Sequence, residues 1–517
     1  MRELPIRVSR KILADVSSGI YRTPANALKE IVSNAFDAGA TRVRVSTNVP
    51  YFDVFTCEDD GEGMSAEDFI ATMQRIGSSA KRAAGKLSYG GRPIIGKIGI
   101  GLLAVAQICN RFSVISKRKG SRTYFQATID LKQFDEIERE DAYRKGEGEI
   151  SLGQYEIDED LTDEVGPERH YTKIVMQDIK EGFRKRLVDE EAKKVFRVQE
   201  KAAQEDTFED FMESVKDKKF NELSQYDQLI WELGLLCPVE YIDEGPLPNN
   251  RILKNEIAKL RSYNFKVFVD GYEIRKPIRF PTSGELGVAL LDVKTYPHVS
   301  FNRKVGDSRL TFTGYIFHQR KRVQPAELQG ILIRIKGVGV GGYDRTFLHY
   351  PKSEGPMFSQ LSGEIFVDQG LEEALNIDRN SFNETHGHYL ILQKYLWDYL
   401  SVKPGVFNDI RSRSKTRRDQ IRTEEADKEL VKFARTIGNR TQTEIAFVRH
   451  KEESDVPYEY HRAARKVTFY QHSFWAKRAS TRLLQEKVVI AMAAARSVAR
   501  NMDQLERVFM RLFAHRK

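Results

Sequence analysis

One amphipathic segment near the N-terminus constrains this chain more than any other feature. Residues 26–38 carry apolar side chains at helical spacing, and the following Gly39 is typical of a helix end. Glu30, Asn34 and Asp37 lie at i, i+4 and i+7, so they form one polar stripe on that helix. The inward side is predicted to consist of Leu28, Ile31, Val32, Ala35 and Phe36. A polar stripe alone usually marks a solvated face, so it indicates a functional site only where other signals accompany it.

Two glycine-bearing segments follow this helix and supply those signals. The first, Asp59-Asp-Gly-Glu-Gly-Met64, comes after a strand predicted over Tyr51–Thr56, which places a carboxylate at a strand end beside glycines that admit a ligand. The second, Gly96-Lys-Ile-Gly-Ile-Gly101, precedes a helical pattern from Leu102 to Cys109 and is typical of a phosphate cradle. Each segment alone is a weak signal, and the three together predict a nucleotide site.

In order and spacing, these segments resemble the three ATP-binding boxes of the GHKL ATPases, which include gyrase, the ninety-kilodalton heat-shock chaperone, histidine kinases and MutL. A later segment, Thr172-Lys-Ile-Val-Met176, resembles the strand that brings a threonine to the adenine pocket of that superfamily. Tyr171 stands where the family usually has glycine. The implied fold class is α/β, with an N-terminal two-layer α/β sandwich as the ATP-binding domain.

The resemblance implies a role for each matching residue. Glu30 would be the general base that orients and deprotonates the attacking water. Asn34 would hold Mg²⁺ through its side-chain oxygen, and Asp59 would accept a hydrogen bond from the adenine amine. The other implied ATP-binding residues are Asp37, Gly61, Gly63, Met64, Gly96, Gly99, Gly101 and Thr172. The implied cofactors are therefore ATP and Mg²⁺, and the implied reaction is hydrolysis of ATP to ADP and phosphate.

A second resemblance bears on the branch of the superfamily. Residues 226–240 and 363–380 resemble the middle domain of the heat-shock chaperone branch, in which an arginine after a leucine-asparagine run reaches the ATP γ-phosphate. Arg379 matches that arginine, and its charged fork suits phosphate oxygens. Asp59-Asp-Gly61 is instead reminiscent of MORC proteins. The chain is thus expected to be closest to the chaperone-like branch, with some MutL/MORC-like character.

Several functions remain open on these residues. The first is a chaperone-like ATPase that closes its domains on ATP and acts on a protein client. The alternative is a DNA-acting ATPase of the MutL or MORC kind, for instance from a phage-defence or DNA-modification system. A histidine kinase is disfavoured because the ATP domain begins near residue 1 and leaves no room for a preceding phospho-accepting helix pair. A non-hydrolysing scaffold is disfavoured because it needs no base such as Glu30.

Two further motifs are expected to be decoys. The glycine-rich run Gly337–Gly342 follows a strand, but no helix opens directly after it, so a hairpin is favoured over a dinucleotide loop. His386 and His388 lack a third ligand at suitable spacing, so no metal site is expected there.

Length and charge predict the domain organisation. The 517 residues predict about three domains. The expected divisions are an ATP-binding domain over 1–185, a charged connector over 186–224, a transducer-like α/β domain over 225–402, and a helical basic region over 403–517. From Ser401 onward there are 26 Lys and Arg against 14 Asp and Glu, so this last part carries the whole basic surplus of a chain with net charge +9.

The C-terminal region has two expected uses. Arg411–Arg418 is predicted to be a linker, and residues 420–437 and 476–513 are predicted to be helical. Its basic excess suits nucleic-acid phosphates, with rings available for stacking at Phe469, Tyr470, Phe474 and Trp475. An apolar run from Arg482 to Arg496 suits a helical packing module instead, and both uses remain open.

Assembly and compartment are also expectations. Related ATPases pair through their ATP domains, so a homodimer is expected, with Met1–Ile20 as the candidate exchanged segment. No run of about 18 apolar residues is present, so no membrane contact is expected. Three scattered cysteines and the lack of a signal-peptide pattern favour a reducing cytoplasm.

Overall fold

The computed structural model divides into two compact units, residues 1–399 and 400–517. It describes residues 23–74, 92–95, 101–130, 154–162, 166–188, 207–215, 218, 220–242, 250–276, 294–306, 308–376, 378–402, 404–448, 456–470 and 478–513. The candidate phosphate glycines Gly96 and Gly99 and the candidate exchanged segment 1–20 lie outside these residues.

A mixed sheet forms the centre of the first unit. Its strands are β1 (Arg42–Ser46), β2 (Phe55–Asp59), β3 (Cys109–Lys117), β4 (Thr123–Asp130), β5 (Gln154–Thr162), β6 (Tyr171–Ile179), β7 (Lys266–Val269) and β8 (Tyr272–Glu273). Their spatial order is β5-β4-β3-β6-β2-β1-β7-β8. Neighbours are antiparallel except β1 and β7, which are parallel. Period-two burial along the strands, as in β4, places one side of each strand in the core.

Helices pack against this sheet and share its hydrophobic core. They are α1 (Pro24–Asp37), α2 (Ala66–Gln74), α3 (Glu181–Leu187), α4 (Phe208–Val215), α5 (Gln225–Leu236) and α6 (Arg251–Ser262). The five apolar residues predicted to face inward on α1 are all buried, which confirms that part of the prediction. A 3₁₀ helix over Gly101–Gln107 replaces the α-helix predicted from Leu102 to Cys109, since Cys109 already begins β3.

A second sheet completes the first unit. Its strands are β9 (Lys294–Val305), β10 (Ser308–His318), β11 (Gly330–Ile335), β12 (Val338–Asp344) and β13 (Leu361–Gln369), in the spatial order β12-β11-β13-β10-β9, and the helix α7 (Gly387–Ser401) follows them. The turn between β11 and β12 has positive φ at both Lys336 and Gly337, as a tight hairpin requires. The prediction of a hairpin rather than a dinucleotide loop is confirmed.

Local details in this unit differ from the sequence patterns. The strand predicted over Tyr51–Thr56 begins only at Phe55, because Phe52 adopts a left-handed backbone conformation that a strand excludes. The strand Lys266–Val269 joins the first sheet beside β1, although it lies after residue 225, where the transducer-like domain is expected to begin. A 3₁₀ helix, Gly355–Gln360, leads directly into β13.

The second unit is helical with a small sheet. Its elements are α8 (Val406–Thr441), β14 (Glu444–Val448), β15 (Tyr458–His461), β16 (Lys466–Tyr470), α9 (Ala479–Val498) and α10 (Met502–Phe513). The α/β class of the chain and its helical C-terminal region are therefore confirmed. The three-stranded sheet β14-β16-β15 was not predicted. Arg411–Arg418 is helical rather than a linker, because arginine and lysine are good helix formers even without an apolar pattern.

Three further observations concern the described residues only. Phe469 is buried in β16, so it is not available to stack on a base as predicted, while Phe474 and Trp475 lie outside those residues. Across the described part of the chain, none of the helices combines the length and hydropathy needed to cross a membrane. The same part holds no group of three or more acidic, histidine or cysteine side chains that could bind a metal unaided.

Candidate nucleotide-binding site

Helix α1 carries the predicted polar stripe and is held firmly at its start. Thr23 is the N-cap, and its hydroxyl accepts from the Asn26 amide at 3.4 Å while donating to Glu232 of α5 at 3.2 Å. Pro24 follows at the first turn, where its missing N–H costs nothing. Because α1 is covered by neighbouring helices, its stripe is largely buried: Glu30 and Asp37 are buried, and Asn34 is half-buried.

Glu30 and Arg379 meet directly, although they are far apart in sequence. The guanidinium Nη1 of Arg379 lies 2.7 Å from Oε2 of Glu30, and the Glu30 side chain is only 3% exposed. The other guanidinium nitrogen, Nη2, donates to the carbonyl of Ile95. Arg379 therefore joins the predicted general base to the residue that precedes the glycine segment beginning at Gly96.

A sharp turn presents this arginine. Arg379 itself adopts a left-handed conformation with φ of 50°. The carboxylate of Asp378 accepts hydrogen bonds from the backbone N–H groups of Asn380 and Ser381 at 3.1 and 3.2 Å and from the Ser381 hydroxyl at 3.0 Å. The Arg379 amide donates to the carbonyl of Asn376 at 3.0 Å. These bonds over-determine the turn, so it tolerates an unfavourable backbone angle at Arg379.

Lys29 fastens the same turn to α1, and sequence reasoning missed it. Its ammonium donates to Oδ1 of Asn380 at 2.9 Å and to the carbonyl of Arg379 at 3.4 Å, and it lies 3.8 Å from Oε1 of Glu30. Burial lowers the pKa of Lys29 from its usual value, and the Glu30 carboxylate opposes that shift. A lysine among the apolar residues of a buried helix was the only signal that could have identified it.

Residues 92–95, just before the glycine segment, are tied down from several sides. The Ile95 amide donates to Oδ1 of Asp37 at 2.7 Å, and Arg92 donates to the carbonyl of Ala40 at 2.6 Å. Lys336, in the β11–β12 turn, donates to the carbonyl of Ile94 at 3.0 Å. Asp37 thus supports the site through a hydrogen bond, and the second sheet contacts the same segment.

The second box lies at the end of β2 and has little free space. Asp59 is buried, and its Oδ1 accepts the Gly61 amide at 2.9 Å. Burial raises the pKa of Asp59 to about 7. A Cβ on Gly61 would lie 2.8 Å from that same oxygen, and one on Gly63, where φ is 66°, would lie 2.0 Å from the carbonyl of Lys117. Residue 63 therefore requires glycine, and a side chain at residue 61 would displace the Asp59 carboxylate.

Three adjacent strands bring the predicted adenine residues together. Thr172 of β6 pairs with Asp59 of β2 on one side and with Ser116 of β3 on the other. The hydroxyls of Ser116 and Thr172 are 3.0 Å apart, and Oγ of Ser116 accepts the Met64 amide at 3.0 Å. Sequence reasoning missed Ser116, which is fully buried; a hydroxyl on a core-facing strand position was the available signal.

The described residues fit the binding of Mg²⁺ together with ATP, because they include a suitable oxygen ligand. Magnesium in nucleotide sites usually takes one or two protein oxygens and completes its shell with phosphates and water. Asn34 offers a carboxamide oxygen one turn after Glu30 on the same helix face. Gly101 begins the 3₁₀ helix after the predicted phosphate segment.

Fold and site together define a nucleotide-binding domain in the first part of the chain. Residues 21–172 match the family model described as histidine kinase-, DNA gyrase B-, and HSP90-like ATPase. This part of the chain therefore belongs to the GHKL superfamily of ATPases, which confirms the identification made from its three boxes.

Curated relatives add MutL-like character. A protein of Herpetosiphon aurantiacus described as "Putative type II restriction enzyme HgiDII" is 35% identical over 112 residues, or 22% of this chain and 18% of that protein. The DNA mismatch repair protein MutL of Caulobacter vibrioides is 30% identical over 139 residues, 26% of this chain and 21% of that protein. MutL of Sphingopyxis alaskensis is 39% identical over 79 residues, 15% and 13% respectively. The chain thus spans about a fifth or less of each of these relatives.

Proposed function

We propose that this chain is a Mg²⁺-dependent ATP hydrolase in which Glu30 is the general base and Arg379 contacts the γ-phosphate. One observation carries the proposal: the two side chains lie 2.7 Å apart, and the arginine also bonds the carbonyl of Ile95 at the entrance to the glycine segment. Ile95 directly precedes that segment in sequence, which supports placing the γ-phosphate near this guanidinium. The roles of the chaperone-branch arginine and of the boxes support this assignment by resemblance.

The proposed hydrolysis gives a role to each of three side chains. The Glu30 carboxylate takes a proton from a water molecule as the water oxygen forms a bond to the γ-phosphorus. The bond from that phosphorus to the bridging oxygen breaks, its electron pair stays on ADP, and inorganic phosphate is released. Arg379 stabilises the negative charge on the transferring group. Mg²⁺ held with Asn34 would neutralise charge on the phosphates when it is bound.

The adenine end of the site is assigned to the three-strand cluster. Asp59 accepts the exocyclic amine, Thr172 and Ser116 supply hydroxyls beside it, and Met64 packs against the base. Gly63 is assigned to the same end of the site by resemblance, and it lets the chain pass close to the Lys117 backbone, where any side chain would collide. Asp37 fixes the segment that leads to the phosphate glycines Gly96, Gly99 and Gly101.

The direct test is turnover by the full chain. We expect the purified protein to release phosphate from ATP with Mg²⁺ present and to stop when a chelator removes the ion, since the phosphates must be bridged and neutralised. A malachite-green phosphate assay measures this, with a heat-denatured sample as blank. Tight ATP binding with no phosphate release under any of these conditions would leave a scaffold as the better description.

Asp59 makes ATP affinity depend on pH. Because burial raises its pKa to about 7, the charged form that best accepts an amine hydrogen bond grows from a minor to a major population as pH rises. We expect ATP affinity to rise about tenfold from pH 6 to pH 8, which is the change in the charged fraction. Asp59→Asn, which keeps a carbonyl acceptor but does not titrate, should bind with a much flatter pH profile. Calorimetric titration of both proteins checks this, and equal slopes would exclude Asp59 as the cause.

For the partner, we favour DNA over a protein client. The matched relatives are described as a mismatch repair protein and a restriction enzyme, and the basic surplus of this chain lies after residue 400. The chaperone-like alternative rests on the resemblance of residues 226–240 and 363–380. Duplex DNA should therefore change the ATP hydrolysis rate. An ATP hydrolysis rate that rises with unfolded protein, but not with DNA, would favour a protein client instead.

Assembly, domain divisions and compartment are part of the same proposal. A homodimer formed when ATP binds remains the expectation from related ATPases, and sedimentation with a non-hydrolysable analogue tests it. The divisions near residues 185, 224 and 402 and a cytoplasmic location also remain predictions.

A further inference from the structure

A segment of α8 after its first turn has no buried residue. Val406, Phe407 and Ile410 are buried before it and Ala426 after it, but no residue from Arg411 to Glu425 is buried. Stable helices in globular proteins normally bury an apolar face, so a helix segment without one gains little from packing. Except for Arg413 and Thr423, every residue of this segment is exposed to a partner.

Basic residues dominate this segment, and four of them share one face. Arg411, Lys415, Arg418 and Arg422 lie at i, i+4, i+7 and i+11, within about 60° of arc on an α-helix. All four are exposed. We call this set the basic stripe. Between its first and last members the sequence contains a single acidic residue, Asp419.

The stripe is unfavourable for the isolated helix. Like charges at i and i+4 destabilise a helix by a few tenths of a kcal/mol for each pair. An anionic partner that runs along the helix would remove that repulsion and gain attraction from each charge. The stripe spans about 16 Å, given a rise of 1.5 Å per residue. Beyond Arg422 the same face continues with Glu425 and Glu429, so the basic surface ends there.

We propose that the basic stripe binds the phosphate backbone of duplex DNA. The inference rests on the DNA partner favoured above and specifies where that partner is held. Four cations on one straight, exposed element suit a run of phosphates and carry no base-reading geometry, so the contact is independent of sequence. Arginine and lysine that neutralise phosphates release counterions, which makes such binding steeply salt-dependent.

The same helix provides a matched control. Lys428, Lys432 and Arg435 are exposed and lie at i, i+4 and i+7, the same spacing as the first three members of the basic stripe. Glu424 and Glu425 precede Lys428 by four and three residues, so part of the positive charge of this set is offset locally, unlike that of the basic stripe. Removing either set changes the net charge by the same amount.

The experiment compares two triple variants in the full chain. Arg411→Gln, Lys415→Gln and Arg418→Gln together remove most of the stripe, and Lys428→Gln, Lys432→Gln and Arg435→Gln form the control; glutamine preserves helix propensity. Affinity for a labelled duplex is measured by fluorescence anisotropy between about 50 and 200 mM salt. We expect the stripe variant to lose at least tenfold in affinity and to reduce the slope of log K against log salt by about 2.7, or about 0.9 for each contact.

The outcomes distinguish binding by the basic stripe from binding by bulk charge, and they also test the proposed DNA partner. Both variants should unfold at the parental temperature and hydrolyse ATP at the parental rate. If the control variant loses as much affinity as the stripe variant, the net charge of the protein explains the binding, and the role proposed for the basic stripe is wrong. If the parent binds DNA and the stripe variant binds equally well, the stripe alone is wrong. If the parent hydrolyses ATP but binds no duplex DNA, the proposed DNA partner fails as well. Stronger binding of duplex RNA than of duplex DNA would also overturn the choice of ligand.

Discussion

Glu30→Gln should bind ATP with nearly parental affinity and hydrolyse it about 10²- to 10⁴-fold more slowly, which is the usual contribution of a general base. Glutamine keeps a carbonyl oxygen that can accept the bond from Arg379, so the turn around residue 379 should remain in place. What it loses is the ability to take a proton from water. Calorimetric ATP titration and steady-state phosphate release measure the two quantities separately.

The control for this variant is a carboxylate elsewhere in the same domain. Glu181, at the start of α3, is exposed and forms a helix-surface pair with Lys185. Glu181→Gln removes one negative charge from the surface and leaves α1 unchanged, so this variant should hydrolyse ATP at the parental rate. If Glu30→Gln also turns over at that rate, the base is a different residue and the mechanism proposed here is wrong.

Local patterns predicted the elements around the site but not its long-range contacts. The inward face of α1 follows from helical periodicity. The glycines at 61 and 63 are expected to admit a ligand, and in the structure they admit the close approach of Asp59, Ala38 and the Lys117 backbone. The pairing of β7 with β1 joins residues that are distant in sequence, and no local pattern encodes the choice of partner strand. The sequence alone therefore places this strand with the domain expected from residue 225 onward and not beside β1.

The same limit explains why the sequence predicts neither the burial of Lys29 nor the helix over Arg411–Arg418. Lysine in a helix usually lies in water, and only the Asn380 turn shows why this one is buried. The segment Arg411–Arg418 lacks apolar periodicity, so a pattern based on burial predicts a linker. Its helix rests on backbone propensity and on continuity with the packed turns from Ala426 to Ile437. Periodicity detects helices that bury an apolar face, and no residue of this segment is buried.

Arg379→Ala is expected to lower turnover by about 10³-fold or more while leaving ATP affinity almost unchanged. An arginine that stabilises charge on a transferring phosphoryl group contributes at that level. Losing a contact that strengthens in the transition state lowers kcat rather than ground-state binding. Arg379→Lys keeps the charge but not the fork that spans Glu30 and the Ile95 carbonyl, so it should recover only part of the rate.

Arg379→Ala also has an effect that would raise turnover, so the direction of the measured change distinguishes two roles for the arginine. Arg379 contacts Glu30 at 2.7 Å, so its removal frees the carboxylate oxygen that must accept the proton from water. If the phosphate contact dominates, turnover falls, as we expect. If turnover instead rises, Arg379 restrains the base, and its role is to hold Glu30 until the second sheet moves. Arg345→Ala, a surface arginine of the same α/β region paired with Glu327, is the matched control and should leave kcat unchanged. A parental rate for Arg379→Ala would show that the contact is structural and that the γ-phosphate is stabilised by other groups.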